Sequence, residues 1–185
     1  TKQLSGCTLG IIGYGEIGKE LSKLAKAFNM KVLATRRLQK ENEHKKFVDL
    51  LIPVKDIDFI LKNSDFIAIA CPLTPFTKNM INKKSFQIMK NDSYLINTSR
   101  GSIINEGDLI EALKNKKIAG AALDVFNTEP LDSKNPLFKL NNVFLSPHIS
   151  GNFSQYQTVM IKQFGNMLIK FINNKALKNR VCKKR

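Results

Sequence analysis

The segment Gly13-Tyr14-Gly15-Glu16-Ile17-Gly18, directly behind the apolar run Leu9-Gly10-Ile11-Ile12, constrains the fold of this chain more than any other. Three glycines at that spacing, closing a predicted strand and opening a predicted helix, form the fingerprint of a dinucleotide-binding turn. Each glycine answers a mechanical need. Gly13 lets the chain turn tightly off the strand, Gly15 leaves room for a pyrophosphate to approach the backbone, and Gly18 lets the helix lie close to the sheet. A helix from Glu16 to Phe28 then directs its free N–H groups and positive dipole end at the phosphates.

The order of predicted elements sets the fold class. Strands are expected at Thr8–Ile12, Lys31–Thr35, Asp65–Ala70, Tyr94–Thr98, Ile118–Leu123 and Val143–Leu145, with a short one at Phe47–Asp49. Helical stretches at Val54–Leu61, Ser85–Met89 and Glu106–Lys114 alternate with them. That alternation predicts an α/β fold, a Rossmann-type doubly wound parallel sheet covered on both faces. Between Ser154 and Asn173, Val159, Phe164, Leu168 and Phe171 recur at helical spacing, so a long amphipathic helix closes the chain.

Bulk properties narrow the partners. With 185 residues, 43% hydrophobic and 24% charged, the chain has length for one domain with a substantial core. No apolar run reaches membrane-spanning length and nothing resembles a signal peptide, so no membrane partner is expected. Cys7, Cys71 and Cys182 are far apart, with neither a disulfide framework nor metal-ligand spacing. No metal is expected, and a reducing cytoplasm fits. A net charge of +15 invites a nucleic-acid partner, but the lysines are scattered and lack interleaved aromatics to stack bases. Only Lys178 to Arg185 forms a basic cluster, expected as a solvated terminus, and His44 in its lysine-rich stretch is expected in solvent. No nucleic acid is therefore expected; the basic field instead favours an anionic cofactor and substrate.

Four further segments follow the fingerprint in order. They are Cys71-Pro72-Leu73-Thr74-Pro75-Phe76-Thr77, then Asn97-Thr98-Ser99-Arg100-Gly101, then Asp124-Val125-Phe126 leading into Glu129-Pro130-Leu131, and last Ser146-Pro147-His148-Ile149-Ser150-Gly151. Together with the glycines they resemble the cofactor-binding domain of the D-isomer-specific 2-hydroxyacid dehydrogenases, over nearly the whole chain. The residue types suit such chemistry on their own. Arg100, Glu129 and His148 each follow a predicted strand's carboxyl end, the edge where open α/β sheets bind ligands. An arginine offers a two-pronged donor to an α-keto carboxylate. A histidine can give a proton to a carbonyl oxygen, and a neighbouring carboxylate stabilises and orients the imidazolium.

The resemblance implies that Arg100, Glu129 and His148 are the catalytic set. Hydride would then pass between nicotinamide C4 and substrate C2, with His148 donating the proton in reduction. It implies cofactor contacts from Tyr14, Gly15, Glu16, Ile17, Arg36 and Arg37, and from Cys71, Pro72, Leu73 and Thr77. Thr98, Ser99, Arg100, Asp124, His148, Ser150 and Gly151 complete that set. Asp124 would accept a hydrogen bond from the nicotinamide carboxamide, and Cys71-Pro72-Leu73 would wall the cofactor. It also implies a small 2-keto or 2-hydroxy acid as partner, and a homodimer.

Two departures from the family pattern matter. NAD-preferring members carry an acidic residue at the end of the second strand, to bind the adenosine ribose hydroxyls. Here Arg36 stands in that place, followed by Arg37. Two guanidiniums favour the 2′-phosphate of NADP, and the missing carboxylate removes repulsion; one of them can instead stack on adenine, which leaves NAD open. The family also builds its substrate domain mostly from sequence ahead of the fingerprint, and this chain begins at Thr1. The expectation is a cofactor domain over residues 1–151, inactive alone, with residues 152–185 returning to an absent substrate domain. Reduction of glyoxylate or hydroxypyruvate is the favoured activity and phosphoglycerate oxidation an alternative. A non-catalytic NAD(P) sensor that controls assembly, or a stand-alone nucleotide-binding module, are rivals from other classes.

Overall fold

Strand β1 (Thr8–Ile12) is buried on both faces, a pattern that only a central strand covered on two sides requires. Leu9 and Ile11 pack with Val32 and Ala34 on one face, while Ile12 packs with Ile67, Ile69 and Leu95 on the other. Ile11 and Ile12 are both fully buried, each worth about 1.5–3 kcal/mol of transfer free energy. The computed structural model describes residues 2–177. Its eight strands are β1, β2 (Lys31–Arg36), β3 (Glu43–Lys45), β4 (Val48–Pro53), β5 (Phe66–Ile69), β6 (Tyr94–Asn97), β7 (Gly120–Leu123) and β8 (Val143–Leu145). They form one sheet in the order β3-β4-β2-β1-β5-β6-β7-β8. The chain builds outward from β1 through β2 and β4, then crosses to β5 and builds the other way. That reversal opens a crevice beyond the carboxyl ends of β1 and β5, where open α/β sheets bind ligands.

The helices are α1 (Glu16–Ala27), α2 (Ile57–Asn63), α3 (Lys83–Ile88), α4 (Glu106–Lys114) and α5 (Tyr156–Ile172). Helix α4 has the expected bounds, and Asn105 caps it, its side chain accepting from the Asp108 N–H at 3.1 Å. Helix α3 begins two residues earlier than expected. A capping box explains this: Asn82 accepts from the Lys84 N–H at 3.0 Å while Ser85 Oγ accepts from the Asn82 N–H at 3.2 Å. The helical stretch expected from Val54 opens instead with a 3₁₀ turn, Val54–Asp56, before α2.

The strand expected at Phe47–Asp49 is longer, running to Pro53 with Leu51 and Ile52 buried. Asp49 does not end it, because its carboxylate accepts from the Val32 N–H at 2.7 Å and pairs with Lys26. Strand β3 lies in a stretch expected to be irregular, and pairs antiparallel with β4, so the sheet is not wholly parallel. Its residues Glu43 and Lys45 place charge on the sheet's edge, which discourages pairing with another chain.

The described residues divide into two compact units, one ending at Ser150 and the other beginning at Gly151. The second carries α5, whose Met160, Phe164, Leu168 and Phe171 are exposed. The basic cluster at 178–185 and Cys182 lie outside the described residues. Among the described residues no helix is long and apolar enough to cross a membrane.

Candidate functional site

At the crevice, the fingerprint glycines differ in what surrounds them. Gly13 has φ +107°, and a Cβ there would lie 2.8 Å from the Ala70 carbonyl at the end of β5. A Cβ on Gly18 would lie 2.4 Å from the Gly13 oxygen, so α1 packs against the turn itself. Gly15 is the opposite case, with nothing within 4 Å of its would-be Cβ. The glycine expected to face a pyrophosphate thus opens on empty space at the N-terminus of α1. That cradle, with free helical N–H groups beside it, fits the phosphates of a dinucleotide.

A cleft of about 360 Å³ extends from this turn. The fingerprint contributes Tyr14, Gly15 and Glu16 to its wall, the end of β2 contributes Arg36 and Arg37, and the loop after β5 contributes Cys71, Pro72 and Thr77. Several of these have internal duties. The Tyr14 side chain is buried in the core, and its N–H donates to the Thr35 carbonyl at 2.8 Å. Glu16 pairs with Lys19 at 2.6 Å, which holds its carboxyl below the ordinary range. The Thr77 hydroxyl donates to the Pro72 carbonyl at 2.8 Å and accepts from the Thr74 N–H at 2.7 Å, locking the loop. Burial pushes the Cys71 thiol up to about 11, so it is a neutral wall rather than a nucleophile. Ile17 and Leu73 are exposed and do not border this cleft.

A second group forms along the ends of β6, β7 and β8. His148 Nδ1 meets Glu129 Oε2 at 2.7 Å, and the other Glu129 oxygen accepts from the Phe126 N–H at 2.9 Å. The His148 hydrogen bond, then the Phe126 N–H, hold the Glu129 carboxyl below its ordinary range, and the charge of Arg100 acts in the same sense. Arg100, Glu129 and His148 therefore share one electrostatic field. Arg100 is exposed, with one guanidinium nitrogen on the Ser99 carbonyl at 2.6 Å.

Asp124 has a different setting from the one its neighbours suggest. It is 3% exposed. Its Oδ1 accepts from Ser146 Oγ at 2.6 Å and from the Ile149 N–H at 2.9 Å, and its Oδ2 accepts from the Ser150 N–H at 2.9 Å. Burial alone would raise its pKa, but these donors outweigh it and hold the carboxyl down at about 2. Asp124 thus clasps both ends of the loop that presents His148.

Three residues that the sequence shows only as members of these motifs, with no role assigned, support the site. Asn97 is fully buried at the end of β6; its side chain accepts from the Ser99 N–H at 3.0 Å and donates to the Arg100 carbonyl at 3.0 Å. Ser99 in turn donates to the Cys71 carbonyl, tying this loop to the wall of the first cleft, while Thr98 is exposed. Gly101 lets the Arg100 loop lie on the Phe126 segment, since a Cβ there would fall 2.0 Å from the Phe126 carbonyl carbon. Ser146 closes the Asp124 clasp. A polar residue at a strand's end was the available signal for Asn97 and Ser146. Gly151 belongs to the second unit.

A mostly parallel eight-stranded sheet with a glycine fingerprint at its switch point defines a Rossmann-type dinucleotide-binding domain. The chain belongs to the D-isomer specific 2-hydroxyacid dehydrogenase family, whose NAD binding domain matches residues 1–150. A Staphylococcus epidermidis protein, provisionally named a 2-hydroxyacid dehydrogenase, is 43% identical over 172 residues, covering 93% of this chain and 53% of that protein. The NAD-complexed D-isomer specific 2-hydroxyacid dehydrogenase of Lactobacillus delbrueckii ssp. bulgaricus is similar at TM-score 0.84 and 27% identity, over 98% of this chain and 57% of that one. A Rhizobium etli protein solved with NADP has TM-score 0.87 at 24% identity, over 98% of this chain and 57% of that one, a likeness of fold alone. The chain spans about half the length of the curated relatives it matches.

Proposed function

We propose that this chain is the cofactor domain of an NADP-preferring D-2-hydroxyacid dehydrogenase that reduces small 2-keto acids, glyoxylate or hydroxypyruvate first among them. The observation that carries this is the His148–Glu129 contact at 2.7 Å within the field of Arg100. The Arg100 fork binds the substrate carboxylate and fixes the C2 carbonyl beside His148. With Nδ1 on Glu129, Nε2 faces the substrate: the imidazolium gives its Nε2 proton to the carbonyl oxygen in reduction, and the neutral ring takes one from the alcohol in the reverse direction. Glu129 stabilises the imidazolium and fixes the ring's orientation. When bound, a reduced nicotinamide supplies the two electrons and the hydrogen that arrive at C2.

Gly15 and the N-terminus of α1 hold the pyrophosphate, and Arg36 and Arg37 take the 2′-phosphate, with no carboxylate at the end of β2 to repel it. Phosphates close to Glu16 are tolerated because Lys19 neutralises it. The second unit returns to a substrate domain, which excludes water and positions the substrate. The intact protein acts as a cytoplasmic homodimer. The test is turnover of glyoxylate and hydroxypyruvate by the intact gene product, with NADPH and NADH, for the wild type and His148→Asn. Loss of roughly 10²–10⁴ in turnover is expected for the variant. Near wild-type turnover by the variant would refute the role given to His148, and no turnover of either acid by the wild type would promote a non-catalytic sensor.

A further inference from the structure

The end of β2 carries two guanidiniums and no carboxylate, yet the fold returns a carboxylate to the same edge from another strand. Strand β3 runs antiparallel to β4, with Glu43 opposite Leu51. Leu51 in turn lies opposite Ala34 of β2, two residues ahead of Arg36. The first residue of β3 and the last of β2 therefore stand at one carboxyl edge of the sheet, with β4 between them. The loop that joins them closes through Gln39. Its N–H donates to the Arg36 carbonyl at 3.2 Å. Its side-chain nitrogen donates to the Glu41 carbonyl at 2.7 Å and to Glu43 Oε2 at 3.2 Å. One glutamine thus ties Glu43 to the turn that carries Arg36.

The other Glu43 oxygen meets Lys45. That contact, then the Gln39 bond, hold the Glu43 carboxyl below its ordinary range, and the charge of Arg36 acts in the same sense. Glu43 is therefore ionised at neutral pH and sits in the field of the Arg36 guanidinium. Lys45 does not use it up, because the side chains of that pair are 43% and 40% exposed and an exposed ion pair holds loosely. A carboxylate that already neutralises part of a guanidinium's field weakens what the guanidinium offers to a second anion.

We propose that Glu43, which is not part of the cleft wall, sets how strongly this chain prefers NADP, as a counter-charge to Arg36 that the 2′-phosphate has to face and a bare ribose hydroxyl does not. The role rests on the reading that Arg36 takes the 2′-phosphate. It makes Glu43 a specificity-determining residue that acts through charge alone, lowering affinity for one cofactor and sparing the other. Because both charges are near water, the effect fades as salt is added.

Glu43→Gln keeps the shape of the side chain and an oxygen for Gln39, and removes the charge. Calorimetry on the intact gene product, with 2′,5′-ADP and 5′-AMP as probes, reads its effect. The variant should bind 2′,5′-ADP about three- to tenfold more tightly than the wild type in dilute buffer, with the gain shrinking in concentrated salt. Its affinity for 5′-AMP should be unchanged. Arg36→Met, measured alongside, should weaken 2′,5′-ADP and leave 5′-AMP alone. Unchanged 2′,5′-ADP binding by Glu43→Gln, or equal tightening of both probes, would overturn the role of Glu43 while a weakened Arg36→Met left the phosphate site standing. Undiminished 2′,5′-ADP binding by Arg36→Met would overturn both.

Discussion

Replacing Asp124 with asparagine should destabilise the domain far more than its near-identical shape suggests. The carboxylate accepts three hydrogen bonds, from Ser146 Oγ, the Ile149 N–H and the Ser150 N–H, at 2.6–2.9 Å. An asparagine has one oxygen, so its amide nitrogen must face at least one donor, and that donor loses its partner. An unmet buried donor costs about 1–3 kcal/mol, and the surviving bonds weaken to neutral strength. The expected loss is about 2–4 kcal/mol at pH 7, or roughly 5–15 °C in Tm for a chain of this size. The pH dependence supplies a second readout. The folded carboxyl titrates at about 2, below its value in the unfolded chain. Its contribution is therefore fully present above pH ~4 and is lost as pH falls through 2. From the size of that shift it is worth about 1–3 kcal/mol. Urea unfolding of both proteins from pH 7 to pH 2 should show their stabilities converging in acid. Equal stability at pH 7, with parallel acid limbs, would refute the role given to Asp124.

Arg36→Asp should shift preference from NADPH toward NADH by about tenfold to hundredfold, since it removes a charge-assisted contact and restores a ribose acceptor; an unchanged affinity ratio by calorimetry would place the 2′-phosphate elsewhere. Gly15→Val should abolish measurable binding of either dinucleotide with little change in Tm, because its new side chain would enter open space where the pyrophosphate belongs; undiminished binding would sink the fingerprint assignment. Gly101→Ala should lower stability by about 1–3 kcal/mol or more, as its Cβ would overlap the Phe126 carbonyl, and thermal unfolding would show it.

The parts of the fold legible in the sequence are those whose signals are local. Helix α4 has its cap, apolar spacing and end within a dozen residues, and β1 carries its apolar run beside the glycines. Strand β3 carries no such signal, because three polar and charged residues become a strand only by pairing with β4. Strand β4 runs past its expected end at Asp49, whose partners Val32 and Lys26 come from distant elements. The candidate site divides in the same way. Arg100, Glu129 and His148 stand out through their motifs, but the Asp124 clasp joins residues 22–26 positions apart.

His148 adopts φ +55°, in the left-handed region that residues other than glycine occupy uncommonly, histidine more often than most. Holding a histidine there costs about 1 kcal/mol of backbone energy, which its hydrogen bond to Glu129 offsets only while the imidazole is present. Folding alone therefore gains little from the imidazole, and only a use for the imidazole keeps it in place. A lineage that stopped needing the chemistry would be free to lose this residue early, while the cofactor cleft, under no such strain at Arg36 or Gly15, could outlast it.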